Sequence, residues 1–426
     1  MRKKGQDTPV LVIGAGIAGI EASLLLANSG RKVYLVEKTS YTGGNVIKWE
    51  EVFPNMECST CMVAPKQQEL LASENIELLT LSEVEGVQGS AGDFTVTVKK
   101  RARYVDLESC IGCDACFEPC PVEVDNEFEA GMIKRKAIYI PCAGALPNVP
   151  AIDTENCLRF KGKDCEACKE ACMFEAIDFA QEDEELELKV GAIVVATGFD
   201  IFDLTKAPQY GYRRFKEVYS AVEFERMRAS NGPTEGEIIL HDGQPPKSAA
   251  IVHCVGREEK GYCSAVCCMY SFKFAHYLRD KVPEVKIFDL YSDLCIPGKS
   301  YQKFYEKVKE SGVELIRGKV IEVAEKDKQL VIRHKGEDSK EDTLAVDMVI
   351  LAPAIEPRAG SSELAEALGI PQGDDGFFSG RELELAPVDT LREGILIAGC
   401  AQGPKDVGDS VAQAEAVAGR ILSLTR

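Results

Sequence analysis

The feature that most constrains the fold is a glycine-rich loop set between a short apolar strand and a helix. Residues 9–13, PVLVI, read as a buried strand. Gly14, Gly16 and Gly19 complete G-x-G-x-x-G and open the helical run IAGIEASLLLANSG. A second strand, KVYLVE, ends at Glu37, 21 residues after Gly16. In this setting the glycines let the backbone approach a pyrophosphate, the helix N-terminus faces it, and the acid reads ribose hydroxyls. A lone G-x-G-x-x-G is weak; with strand, helix and acid in place it predicts dinucleotide binding. The plain alternative is a Rossmann-like domain without a cofactor. Lys38 follows the acid and joins the expected binding set, and Gly43-Gly44 favours FAD over NAD.

Two later stretches support FAD. GAIVVATGFD, residues 191–200, is an apolar strand ending in Ala196-Thr197-Gly198, a tight turn expected beside the flavin. Residues 394–419 read as a strand, a loop from Gly399, and an amphipathic helix. Asp406 or Asp409 is expected to take a ribityl hydroxyl. The N-terminus of that helix, placed near Asp409, would favour negative charge on the flavin. One FAD domain is thus split between the two ends of the chain.

Seventeen cysteines in a sequence that opens without the apolar core of a signal peptide point to metal ligation or redox chemistry. Cys110, Cys113, Cys116 and Cys120 stand at C-x2-C-x2-C-x3-C before Pro121, the bacterial ferredoxin run. Cys157, Cys165, Cys168 and Cys172 form a second run with its first member displaced. In two-cluster ferredoxins the fourth cysteine of each run serves the other cluster. The expected sets are therefore Cys110, Cys113, Cys116 and Cys172, and Cys157, Cys165, Cys168 and Cys120. Zinc ribbons are the alternative.

A third group lies in HCVGREEKGYCSAVCCMYSFK: Cys254, Cys263, Cys267 and Cys268, at C-x8-C-x3-C-C. The strand AAIVHCVG leads into these cysteines where a second dinucleotide domain would carry its glycine loop. The residues predict a third [4Fe–4S] site in place of a nicotinamide site; four buried or zinc-binding thiols are the alternative. The order that follows, from about 245 to 350, is strand, helix, strand, helix, strand and β-meander. Lys273, five residues past Cys268, is open to two readings, a flavin neighbour or a solvated lysine.

Cys58 and Cys61 form a C-x-x-C that fits a redox disulfide near the flavin, a metal half-site or two packed thiols. Cys142, Cys295 and Cys400 stand alone, and His241, His253, His276 and His334 read as structural. The net charge of −19 argues against nucleic acid. No run of about 18 apolar residues predicts a membrane span, and a cytoplasmic location is expected.

The whole chain resembles the flavin-bearing A subunit of heterodisulfide reductase and its bacterial relatives. ECSTCMVAPK, the C-x2-C-x2-C-x3-CPVEV run, NEFEAGMIKRKAIY, HCVG…YCSAVCCMYSFK and AGCAQGPKDVGDSVAQA carry the resemblance. It implies an α/β fold: a thioredoxin-reductase-like flavoprotein with two dinucleotide-binding domains and an inserted ferredoxin. The expected division is 1–103 FAD domain, 104–180 ferredoxin insert, 181–244 return strand and connector, 245–350 degenerate nucleotide domain bearing a cluster, and 351–426 FAD domain again. It implies that the Cys254 group ligates [4Fe–4S] and that Lys273 lies beside the flavin. The implied role is relaying electrons, with bifurcation open, between a donor module and B- and C-like subunits. That donor would be hydrogenase-, formate- or NADH-linked, and a homodimer is compatible. The rival expectation is a freestanding NAD(P)H-dependent disulfide reductase using Cys58 and Cys61. Longer archaeal members carry an N-terminal iron–sulfur segment and a C-terminal ferredoxin outside this sequence. The related quinone-modifying family lacks, in its flavin subunit, the insert that is present here.

Overall fold

A computed structural model describes residues 8–337 and 339–424. The apolar strands pair as their sequence demands. Val10–Ile13, buried throughout, sits at the centre of a five-stranded parallel sheet between Ala192–Val195 and Val33–Glu37. Ile395–Ile397 and Ile76–Thr80 close its two edges. Strands buried on both faces read as continuous apolar runs, as parallel sheets require. One face packs on helices Ile17–Asn28 and Val407–Leu424; the other packs on an antiparallel sheet of Ser82–Ser90, Asp93–Lys100 and Glu184–Val190. The two ends of the chain therefore share one sheet.

The second sheet has seven strands, in the order Val218–Ser220, Met348–Pro353, Ser248–Val255, Lys286–Tyr291, Glu314–Lys326, Gln329–Gly336 and Glu341–Val346. The first five are parallel and the last two extend the edge as an antiparallel meander. Val218–Ser220 comes from the stretch assigned by sequence to the connector. Its three buried residues align with Val349–Leu351, so this sheet begins some 27 residues before position 245. A short antiparallel pair, Phe199–Ile201 with Ile355–Pro357, joins the two sheets' domains.

Residues 104–180 form a small body of two-stranded ribbons, Glu123–Asp125 with Lys134–Lys136 and Ile138–Tyr139 with Ala151–Ile152. Its core mixes aliphatic residues with Cys120 and Cys157. Two buried arginines tie it down. Arg103 donates to the carbonyls of Val149 and Ser40 at 2.8 Å each. Arg226, on helix Ala221–Arg228, holds Glu129 through two hydrogen bonds of 2.8 and 2.9 Å. Among the described residues no helix is long and apolar enough to cross a membrane.

Candidate flavin and iron–sulfur sites

A cavity of about 790 Å³ opens at the carboxyl end of the first sheet and reaches the second domain. That is room for a cofactor-sized ligand. The glycine loop forms one wall. Gly14 has φ +103°, and a Cβ there would stand 2.4 Å from the Ala196 carbonyl oxygen. A Cβ on Gly44 would meet the Gly16 Cα at 2.9 Å. The two glycine stretches thus touch, and only residues without side chains allow it.

Gly14, Gly16, Glu37, Lys38, Gly44 and Thr197 line this cavity, as do Gly198, Lys273, Gly399 and Asp406. Glu37 already holds loop and strand end together: its carboxylate accepts from Ala15 N–H at 2.7 Å and Thr39 N–H at 2.8 Å. The Thr197 hydroxyl is buried with no partner, so a polar ligand atom would satisfy it. Gly19 and Gly43 lie behind the wall. A Cβ on Gly19 would stand 1.8 Å from the Gly14 carbonyl oxygen, so its role is helix–strand packing. Asp409 is exposed and outside the cavity. The last helix starts at Val407, two residues earlier than the sequence suggested. Asp406 caps it, accepting from Asp409 N–H at 2.8 Å, and also accepts from the Tyr301 hydroxyl.

Lys273 is buried on helix Cys267–Lys281, 2.7 Å from Glu225 and 2.9 Å from the Glu51 carbonyl oxygen. Tyr277 from the same helix reaches the other Glu225 oxygen at 3.2 Å. Glu225 carries no local signal in sequence, because it arrives from a helix 48 residues upstream. Lys48 and Lys405 also line the cavity, and burial lowers both pKa values below the ordinary lysine value.

Cys58 and Cys61 are joined in a disulfide at the start of helix Ser59–Ala72. Neither lines the cavity; Cys58 pairs across a two-residue ribbon with Glu51, whose carbonyl holds Lys273. The first of the lone cysteines, Cys142, packs against the core beside the first sheet. Cys400 is buried at the cavity wall.

The cysteine runs of the insert interleave. One small cavity is lined by Cys110, Cys113, Cys116 and Cys172. Another is lined by Cys120, Cys157, Cys165 and Cys168. Burial pushes Cys116 up to about 12 and Cys168 up to about 11, so as free thiols they are protonated. Binding a metal there would release protons.

The third group gathers where strand Ser248–Val255 meets helix Cys267–Lys281. Gly256 turns the chain with φ +86°, and a Cβ there would strike the Phe202 ring at 2.6 Å. Cys267 is buried, and Cys254, Cys268 and burial raise its pKa well above the ordinary thiol value. Cys268 is held well below the ordinary thiol range, first by Cys267 and then by His253. His253 is fully buried with Asp289 at 2.8 Å. Burial opposes its cation, but Asp289 outweighs that and lifts its pKa to about 10. Among the described residues no three such side chains converge on a single ion; a four-iron cluster instead takes one thiolate at each of four irons.

The fold is an α/β FAD-binding one, and its architecture is that of thioredoxin reductases. Residues 9–119 match the family described as FAD dependent oxidoreductase. Thioredoxin reductase of T. acidophilum superposes with TM-score 0.54 at 12% identity, covering 99% of both chains. LpdA of Mycobacterium tuberculosis gives 0.56 at 13% identity, over 98% of this chain and 72% of its own. These likenesses show the fold alone. Along almost its whole length the chain is similar to heterodisulfide reductase A subunits. It is 41% identical over 427 residues to the A subunit of the H(2):CoB-CoM heterodisulfide,ferredoxin reductase of Methanothermobacter marburgensis, covering 98% of this chain. It is 41% identical over 430 residues to the iron-sulfur A subunit of the CoB–CoM heterodisulfide reductase of Methanocaldococcus jannaschii, covering 97%. The chain spans 64% of the length of each of these relatives.

Proposed function

We propose that this chain is the FAD- and iron–sulfur-bearing electron-transfer subunit of a heterodisulfide-reductase-like complex. One observation carries the reading. A single helix, Cys267–Lys281, presents Cys267 and Cys268 in its first turn and Tyr270, Lys273 and Phe274 to the flavin cavity in the next two. A cluster on the Cys254 group and a flavin in the cavity would share that helix as their common wall. FAD exchanges electrons singly or in pairs and each cluster exchanges them singly, which is the chemistry a relay between pair-handling and single-electron partners needs.

The chain's own residues bind and orient. The glycine loop and Glu37 would take the dinucleotide's pyrophosphate and ribose. Thr197 would donate its unpartnered hydroxyl, and Asp406 would accept from the ribityl chain. Lys273 would hold a positive charge against the ring, kept in place by Glu225 and the Glu51 carbonyl. The two cysteine sets of the 104–180 body would hold two further [4Fe–4S] clusters as a ferredoxin insert, with Cys254, Cys263, Cys267 and Cys268 holding the third. The domain division expected from sequence follows, with the second domain opening at Val218. Partners would be B- and C-like subunits and a hydrogenase-, formate- or NADH-linked donor module. Names of relatives that join heterodisulfide and ferredoxin support this.

The test is anaerobic photoreduction of the flavin in holoprotein followed by rapid-freeze EPR. Electrons should appear on the clusters of the unaltered chain. A Cys254→Ala/Cys268→Ala variant that keeps its FAD should pass them much more slowly. Equal rates in both proteins would contradict the relay, as would rapid bleaching by NADH alone.

A further inference from the structure

Cys295, solitary in sequence, is not solitary in the fold. It lies on the loop between Lys286–Tyr291 and Lys299–Glu310, half-buried. Its N–H donates to Cys268 Sγ at 3.4 Å; burial first, then the nearby Cys263 and Cys268 thiols, raise the pKa of its own thiol. The same loop is fastened to the cysteine group twice more. The Cys268 thiol donates to the Asp293 carbonyl oxygen at 3.7 Å. Arg257 reaches Asp293 at 3.1 Å and Cys254 Sγ at 3.9 Å.

Five thiols from three separate stretches thus meet at this centre. Cys254, Cys267 and Cys268 form its inner part, set on a strand end and a helix turn. Cys263, exposed, and Cys295, half-buried, form its outer side, each on a loop. A four-iron cluster takes four thiolates, so one of the five is left over. The inner three are fixed by regular structure; the outer two compete for one position.

We propose that Cys295 is a ligand-competent member of this centre, and that the fourth thiolate comes from either Cys263 or Cys295. The proposal rests on reading the Cys254 group as a cluster site. Exchange needs no electrons. One iron–sulfur bond to the leaving thiolate breaks and one to the incoming sulfur forms. The proton of the incoming thiol passes to the thiolate that leaves. The unused thiol stays free beside the cluster, a reserve against loss of the exposed ligand.

Cys263→Ala, Cys295→Ala and the double variant would each be reconstituted anaerobically beside the unaltered chain. Iron, FAD and EPR spectra would be measured, and free thiols mapped by alkylation and mass spectrometry. Either single variant should keep the full iron content. The double variant should lose about four irons, or show the signal of an oxidised [3Fe–4S] cluster, while keeping FAD and the other two clusters. In the unaltered chain Cys263 and Cys295 together should take about one equivalent of label, and the inner three none. Iron loss in Cys263→Ala or in Cys295→Ala alone would overturn the interchange, as would full iron in the double variant. An unaltered chain with only about eight irons would sink the cluster reading itself, which is a separate failure.

Discussion

Lys273 Nζ lies 2.7 Å from Glu225 Oε2, with both side chains almost wholly buried at the wall of the flavin cavity. A cation placed against a bound ring favours electrons arriving on it, and the neighbouring anion moderates the effect. Lys273→Met should leave FAD bound and lower its two-electron midpoint potential by on the order of 30 mV or more, about 1.4 kcal/mol. Glu225→Gln should move it the other way. Spectroelectrochemical titration reads both; an unchanged or higher potential in Lys273→Met contradicts the assignment.

The Arg226–Glu129 pair is the buried link between the cysteine-rich body and the second domain. Removing one partner of a buried pair strands the other and costs about 3–5 kcal/mol. Glu129→Ala should therefore lower the unfolding midpoint and raise hydrogen exchange across 104–180, with the FAD sheet unaffected. A protein as stable as the original would show that the link carries no weight.

Cys120 belongs in sequence to the first run but in space to Cys157, Cys165 and Cys168. Cys120→Ala should deplete the cluster held by that second group and spare the one held by Cys110, Cys113 and Cys116. Selective alkylation after anaerobic reconstitution distinguishes them. Protection lost at Cys113 and retained at Cys165 would contradict the interleaving.

Burial lowers Lys48 and Lys405, so the protein alone disfavours their charged forms. A bound pyrophosphate favours those charged forms and raises both values. FAD binding should therefore take up protons at alkaline pH, below the ordinary lysine value of 10.5. Calorimetry in buffers of different ionisation enthalpy measures this; proton release in that range would contradict it.

The sequence was most informative where backbone chemistry fixes residue type. Gly14, Gly16 and Gly44 were legible because their contacts exclude a Cβ. The interleaved cysteine sets followed from spacing, since the ferredoxin run dictates which member lies far from its neighbours. What stayed hidden depends on contacts between distant stretches. Glu225 is an ordinary acid of an amphipathic helix until the fold brings it to Lys273. Cys295 has no spacing motif, because its loop meets Cys268 only through the strand order of the second sheet. The strand Val218–Ser220 is three residues long, too short to show an alternation. The helix start was placed two residues late, near Asp409, because helix starts depend on caps, and Asp406 is the cap.

The central claim is that thiolates occupy the niche where a second dinucleotide would dock, so that the flavin exchanges electrons with iron. Iron, acid-labile sulfide and flavin counted together in anaerobically prepared chain test it most directly. The account predicts about twelve irons, as many sulfides, and one FAD per chain. About eight irons with the Cys254 group alkylatable, or zinc in their place, would contradict it.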